Sequence, residues 1–264
     1  MAKKKAEKPE TKSDFLRRVL GRNPDLDYRQ VNQRWRKAGH PGEISNPLYY
    51  LIRRELGIRT EWAWVKQPPT ATRELFQFKI TLLEIRPPIW RRIRVRDGTL
   101  DKLHEHIQAA MGWTNSHLHH FRIGGTLYGD PMLMAENFGE MKYRDSTTTL
   151  LSAILPRDDG LLSFEYEYDF GDGWRHEVTF EGRPTAAPGE KHPICLEGEG
   201  ACPPEDVGGV WGYADFLQAI ADRDHEEHDE LLEWAGGTFD PEKFSPTTAT
   251  RRMKQGLPDW RSMR

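Results

Sequence analysis

The 264-residue chain carries 38 Lys and Arg against 41 Asp and Glu, a formal net charge of −3, and its 37% hydrophobic residues include nine Trp and eleven Phe. That length and apolar mass allow one large core or two small ones, while no apolar run approaches the roughly 20 residues a membrane-spanning helix needs. The basic start MAKKKAEKPETKSD lacks the apolar segment of a secretory signal, so a bacterial-type cytoplasmic location with reduced thiols is expected, and no membrane partner.

Charge is unevenly spread. Residues 1–66 hold 16 basic and 8 acidic side chains, and the remainder holds 22 and 33. A basic front on an acidic body makes nucleic acid a partner of the front rather than of the back.

In chain order, residues 1–12 form a charged tail without apolar anchors, expected to be disordered. Residues 13–64 read as three helices. Ser13 caps the first, which runs toward Gly21. Asp27 and Gln30 form a capping box for the second, whose Tyr28, Val31, Trp35 and Ala38 make one stripe ended by Gly39. Ser45 starts the third, with Pro47 in its first turn and Gly57 past its end. Residues 65–73, with their consecutive prolines, read as a linker.

From residue 74 the period changes to two. LFQFKITLLEI alternates Phe76, Phe78, Ile80 and Leu82 with polar residues, as a half-buried strand does. IWRRIRVR returns as its partner, with Arg92, Arg94 and Arg96 on the face of Trp90. TLDKLHEHIQAAMGW reads as a helix capped by Thr99, and HLHHFRI as a strand. TTTLLSAIL fits either element. A hairpin follows at residues 166–181, then a Pro/Gly-rich loop (182–212) and helices near 213–222 and 226–235. The expectation is an α+β fold, ordered ββαβ-ββ-αα, with helices packed on a mixed or antiparallel sheet over residues 74–250 and a C-terminal tail at 251–264.

The hairpin stretch YEYDFGDGWRHEVTFE separates its faces when a three-residue loop, Gly171–Gly173, pairs Phe170 with Trp174 and Tyr168 with His176. That register also pairs Asp169 with Arg175, and Gly173 takes the left-handed position. The DFG triplet at 169–171 matches the magnesium-binding triplet of protein kinases, but no Gly-rich loop, strand lysine or HRD accompanies it. Asp169, Asp172 and His176 could still be acid–base or metal-ligand groups at a strand end, although turn formation, pairing with Arg175 and a hydrogen-bonded core histidine explain the same residues. The arginine stripe of Arg92, Arg94 and Arg96 and the acidic stripe of Glu165, Glu167 and Asp169 balance if their strands are neighbours. Otherwise the arginines form an open basic surface.

RPPIWRRIRV, LHEHIQAAMGWTNSHLHHF, YEYDFGDGWRHEV and CLEGEGACPPEDVGGVWGY, in this order and joined by WAGGTFDPEKFS, resemble the plasmid pRiA4b ORF-3-like family over about residues 74–250. The resemblance implies an α+β fold and a link to mobile elements, since members include passenger proteins of insertion sequences, some labelled resolvase-like. It implies no established reaction, and the nucleophilic serine among arginines of a serine resolvase has no counterpart here.

Four groups of residues could carry chemistry or binding. Cys195 and Cys202, with His176 and His192, offer the sulfur and imidazole donors of a zinc site, although two packed, reduced thiols explain the same cysteines. Glu205 and Asp206, between Pro-Pro and Gly-Gly, could serve with His176 as acid, base or cation ligands, although loop carboxylates more often cap backbone amides. His117 and His119 are expected on one strand face and His120 on the other. The basic front offers Arg29, Arg36, Lys37, Arg53 and Arg54 to phosphates.

The leading expectation is a binding scaffold with no recognised catalytic constellation, whose front module, residues 13–64, contacts nucleic acid or a protein partner. The alternative is a metal-assisted hydrolase centred on His176, Glu205 and Asp206.

Overall fold

A computed structural model describes residues 10–42, 44, 48–49, 52–53, 56, 58, 71–130, 134, 142–158 and 160–257. Contacts divide the chain into two units, residues 1–67 and 68–264.

In the first unit, α1 (Lys12–Arg22) is capped by Thr11, whose hydroxyl oxygen accepts the Asp14 amide. The expected cap, Ser13, lies inside the first turn. In α2 (Tyr28–Lys37) the capping box forms as expected, with the Asp27 carboxylate accepting the Gln30 amide at 2.8 Å and the Gln30 side chain accepting the Asp27 amide at 3.0 Å. Phe15, Leu16, Val19 and Leu20 pack on Val31 and Trp35, joined by Ile44, Tyr49 and Ile52. Buried Asn32 holds both polar groups of Ile44, accepting its N–H at 2.8 Å and donating to its carbonyl at 3.1 Å. The helix expected from Ser45 to Gly57 and the linker fall largely outside the described residues.

The second unit is built on one eight-stranded sheet: β1 (Leu75–Leu82), β2 (Ile89–Arg96), β3 (His119–Ile123), β4 (Thr126–Gly129), β5 (Arg144–Asp145), β6 (Leu162–Tyr168), β7 (Trp174–Gly182) and β8 (Ile194–Glu199). Its order is β5-β4-β3-β6-β7-β1-β2-β8, antiparallel except for the β4–β5 pair. Among the described residues, helices α3 (Leu100–Met111), α4 (Leu151–Ile154), α5 (Gly209–Ala221), α6 (His228–Trp234) and α7 (Pro246–Gln255) accompany it. The α+β class with helices on a mixed sheet is thus as the periodicities require. Phe76, Phe78, Ile80, Ile93, Phe164, Tyr166 and Val178 line one sheet face and bury against Leu103 and Ile107 of α3. Thr99 caps α3 as expected.

Three features depart from expectation. Strands β4, β5 and β8 add to the predicted order, and α7 runs to Gln255, across the place where a tail was expected to begin. The β6–β7 hairpin pairs Tyr168 with Trp174, Tyr166 with His176 and Glu167 with Arg175, two residues out of the expected register. A two-residue shift keeps every side chain on its face, so Tyr168 and Trp174 are both buried as expected. The connection is a five-residue loop because Asp169 leaves the strand at φ 55°, and its carboxylate accepts the amides of Gly171 at 2.9 Å and Asp172 at 3.3 Å. Gly173 takes positive φ, as expected.

The arginine and acidic stripes are not neighbours, since β7 and β1 separate β6 from β2. Nor are Arg92 and Arg94 an open basic surface, although Arg96 at the strand end is exposed. Arg92 holds Glu181 in a bidentate pair at 2.7 and 2.9 Å and also meets Glu197, and Arg94 donates to Glu190 and Gln77.

Candidate functional site: a histidine–carboxylate cluster

Two loops and a strand end converge beside the hairpin. The first loop, residues 112–118, follows α3. Gly112 ends that helix in the left-handed conformation, and Asn115 also has positive φ (62°). His117 therefore precedes β3 instead of sharing a strand face with His119. His119 enters the core and stacks on His104 with ring centroids 3.4 Å apart. The strand end is that of β6, where Asp169 begins the hairpin loop. The second loop, residues 200–208, leads into α5.

Backbone contacts lock these segments together. Trp113 donates its indole N–H to the Pro203 carbonyl at 3.0 Å, and the Gly208 amide donates to Asp172 Oδ2 at 3.1 Å. Gly209 has φ +70°, and a Cβ there would lie 2.5 Å from the Asp172 carbonyl oxygen. The close approach of α5 to the hairpin thus requires glycine.

The segments bring His117, Asp169, Glu205 and Asp206 together. His117 Nε2 lies 2.9 Å from Asp206 Oδ1, 3.5 Å from Asp169 Oδ2 and 4.0 Å from Glu205 Oε2. It is shielded from solvent yet makes no aligned hydrogen bond with any of them. Ligand atoms from His117, Asp169 and Asp206 all lie within 4.8 Å of one another. Asp206, like Asp169, is a non-glycine residue at positive φ (58°), a conformation that costs of order 1 kcal/mol or more and persists only where its surroundings enforce it.

Glu205 is fixed from behind. Its Oε1 accepts the Thr114 amide at 2.7 Å and the Thr114 hydroxyl at 3.0 Å. The Tyr168 hydroxyl lies 3.1 Å from both carboxylate oxygens and donates to them, while accepting the Ser116 amide at 3.0 Å. Burial, reinforced by the Glu205 charge, pushes the Tyr168 phenol well above its usual range and keeps it a donor. Glu205 Oε2 is left facing His117. Asp206 also borders an open cavity of about 640 Å³ lined by Val207, Asp215, Phe216, Glu230 and Trp234.

The other expected site residues lie elsewhere. His176 does not join Glu205 and Asp206. It is fully buried in the core, its Nδ1–H donating toward the carbonyls of Trp174 at 3.1 Å and Tyr166 at 3.3 Å, with Trp113 edge-on at 5.4 Å. Burial pushes its pKa down to about 4, and the ring stays neutral. The zinc quartet does not form either. None of His176, His192, Cys195 and Cys202 belongs to a cluster of three potential ligand atoms among the described residues. Burial pushes the Cys195 thiol up to about 11 and the Cys202 thiol to about 12, so neither offers a thiolate near neutrality.

In the first unit, Arg29, Arg36 and Lys37 are exposed on α2. Arg53 is buried and donates to the carbonyls of Pro24 at 2.7 Å and Leu26 at 3.2 Å, so it braces the module and cannot reach a phosphate. Arg54 lies outside the described residues.

HLHHF reads as unbroken strand, yet His117 lies in the loop before β3. The usable signal was the run TNS before it, which breaks the α3 period without starting a new one.

Fold and site together define a class: an α+β sheet domain that gathers two loops and a hairpin into a histidine–carboxylate cluster. The chain belongs to the plasmid pRiA4b ORF-3-like protein family, whose sequence profile matches residues 74–248 and so spans the whole cluster. It is 47% identical over 163 residues to the uncharacterized protein y4hQ of Sinorhizobium fredii, covering 61% of this chain and 81% of that protein. Among solved structures it is similar to MM3350, a protein of unknown function from Methanosarcina mazei Go1, with 36% identity and a TM-score of 0.57 over 67% of this chain and 98% of that one.

Proposed function

We propose that the second unit binds a divalent cation through His117, Asp169 and Asp206 and uses it for hydrolysis, with Glu205 as the base. The observation that carries this reading is the unaligned His117 Nε2 among three carboxylates. A neutral imidazole presenting its lone pair to carboxylate oxygens is repelled. An imidazole that carries a proton on Nε2, neutral or charged, should aim that N–H at one of them. A cation between them turns the same arrangement into attraction, and one imidazole with two carboxylates suits zinc or manganese.

Three protein ligands leave coordination positions for water, as catalytic metal sites do. Glu205 Oε2 faces the same space, held there by Thr114 and Tyr168, and is placed to take a proton from that water. This reading keeps the carboxylates of the hydrolase expectation and replaces His176 with His117. Three of the stretches that carry the family resemblance, around Thr114, Asp169 and Glu205, supply the parts.

The test is metal removal and return. Chelator-stripped protein should lose hydrolysis of an ester and phosphodiester panel and regain it with Zn²⁺ or Mn²⁺. Glu205→Gln should keep the metal and lose turnover by about 100-fold or more. Equal activity in stripped protein, or an active Glu205→Gln, contradicts the proposal.

A second reading concerns the first unit. Arg29 and Arg36 stand two turns apart on exposed α2, with Lys37 beside them, and support nucleic-acid contact through phosphates. A mobile-element setting for the whole chain rests on the family resemblance and is in keeping with that contact.

A further inference from the structure

The polar face of the sheet carries a separate cluster. His120 on β3 lies directly across from Glu167 on β6, and Glu165 sits two residues back on the same face. One ligand atom from each of the three lies within 4.8 Å of the others. The His120 side chain is only 8% exposed, beneath Phe170 and Tyr143 with ring centroids at 5.1 and 6.0 Å. Among the described residues neither of its ring nitrogens makes an aligned hydrogen bond, although Nε2 is 3.3 Å from Glu167 Oε2.

A buried imidazole is normally satisfied by hydrogen bonds, so two unused ring nitrogens need an explanation. A solvated surface cluster does not supply one, because burial keeps water from the ring. From this we infer that His120, Glu165 and Glu167 form a second binding site for a divalent transition metal of the zinc class. Two carboxylates and one imidazole match the donors such an ion takes, and β-strand geometry fixes all three without loops. The nearby cations leave room for it. Arg122 is half exposed and 3.6 Å from Glu165, free to swing into solvent, and Arg175, across from Glu167, is engaged by Glu84. A metal here would tie β3 to β6 beneath Phe170, in the loop that Asp169 begins. The inference shares no residue with the His117 cluster and does not depend on it.

The experiment is calorimetric titration of the chelator-stripped full chain with Zn²⁺, in wild type and in a His117→Ala background. His117→Ala should retain one equivalent. Adding His120→Asn or Glu165→Gln should abolish that equivalent or weaken it at least tenfold. Thermal melts identify any variant that fails to fold, and Glu165→Gln, altering a half-exposed side chain, decides if His120→Asn does. The inference is overturned if His117→Ala binds no zinc, or if folded His117→Ala/Glu165→Gln binds it as His117→Ala does. Wild type and His117→Ala binding the same number of equivalents would instead remove the first site and leave this one standing.

Discussion

At the scale of single residues, burial decides which titratable groups act and which pack. His176 looked like a ligand in the sequence, yet the core holds its pKa at about 4, against about 6.5 in an unfolded chain. Above pH 6.5 the ring is neutral in both states and costs nothing. As pH falls from 6.5 to 4 the unfolded chain takes up a proton that the folded chain refuses, so stability falls, by about 3 kcal/mol over the window. His106, also held at about 4, acts in the same direction. Denaturant midpoints at pH 7.5 and 4.5 should therefore lie far apart in wild type and closer together in His176→Gln. An unchanged gap would place the titration elsewhere. Arg91 makes the complementary point. Among the described residues its buried guanidinium meets no carboxylate and donates to the carbonyls of Trp90, Glu199, Gly200 and Ala110. Arg91→Met strands those acceptors and should cost about 3 kcal/mol or more, read by urea unfolding.

At the scale of elements, the period-two strands were legible because each buries alternate residues, as the burial of β1, β2, β6 and β7 shows. Strand β8, ICLEGE, was not legible, since it has one buried residue and sits at a sheet edge. Helix α7 buries only Ala249 and Met253, too thin a stripe to distinguish from a polar tail. Alternation cannot tell a three-residue loop from a five-residue one, so the hairpin register is set by the Asp169 turn. Of the site, Glu205 and Asp206 were legible from their Pro-Pro and Gly-Gly flanks, and Asp169 from its place at the strand end. Their partner was not, because proximity of His117 depends on three segments distant in sequence. The glycines that join those segments are testable. Gly209→Ala forces a Cβ against the Asp172 carbonyl at positive φ, so it should destabilise by about 1–3 kcal/mol and weaken cation binding at His117. Wild-type zinc affinity in that variant would mean the hairpin and the 200–208 loop do not position the site together.

At the scale of the whole molecule, the basic charge of residues 1–66 and the acidic excess behind it belong to two structural units. Nucleic-acid contact by the first unit predicts a steep salt dependence, with three phosphate contacts giving a log–log slope near −3. The triple variant Arg29→Glu, Arg36→Glu and Lys37→Glu in the full chain should flatten that slope and leave the metal chemistry of the second unit intact. Retention of duplex DNA by the triple variant with an unaltered slope would remove α2 as the contact. The most direct measurement on the central claim is an anomalous difference map from crystals of the full chain grown with Zn²⁺. A peak bounded by His117 Nε2, Asp169 Oδ2 and Asp206 Oδ1 is expected. Zinc bound only at other residues, with no density among those three, would contradict it.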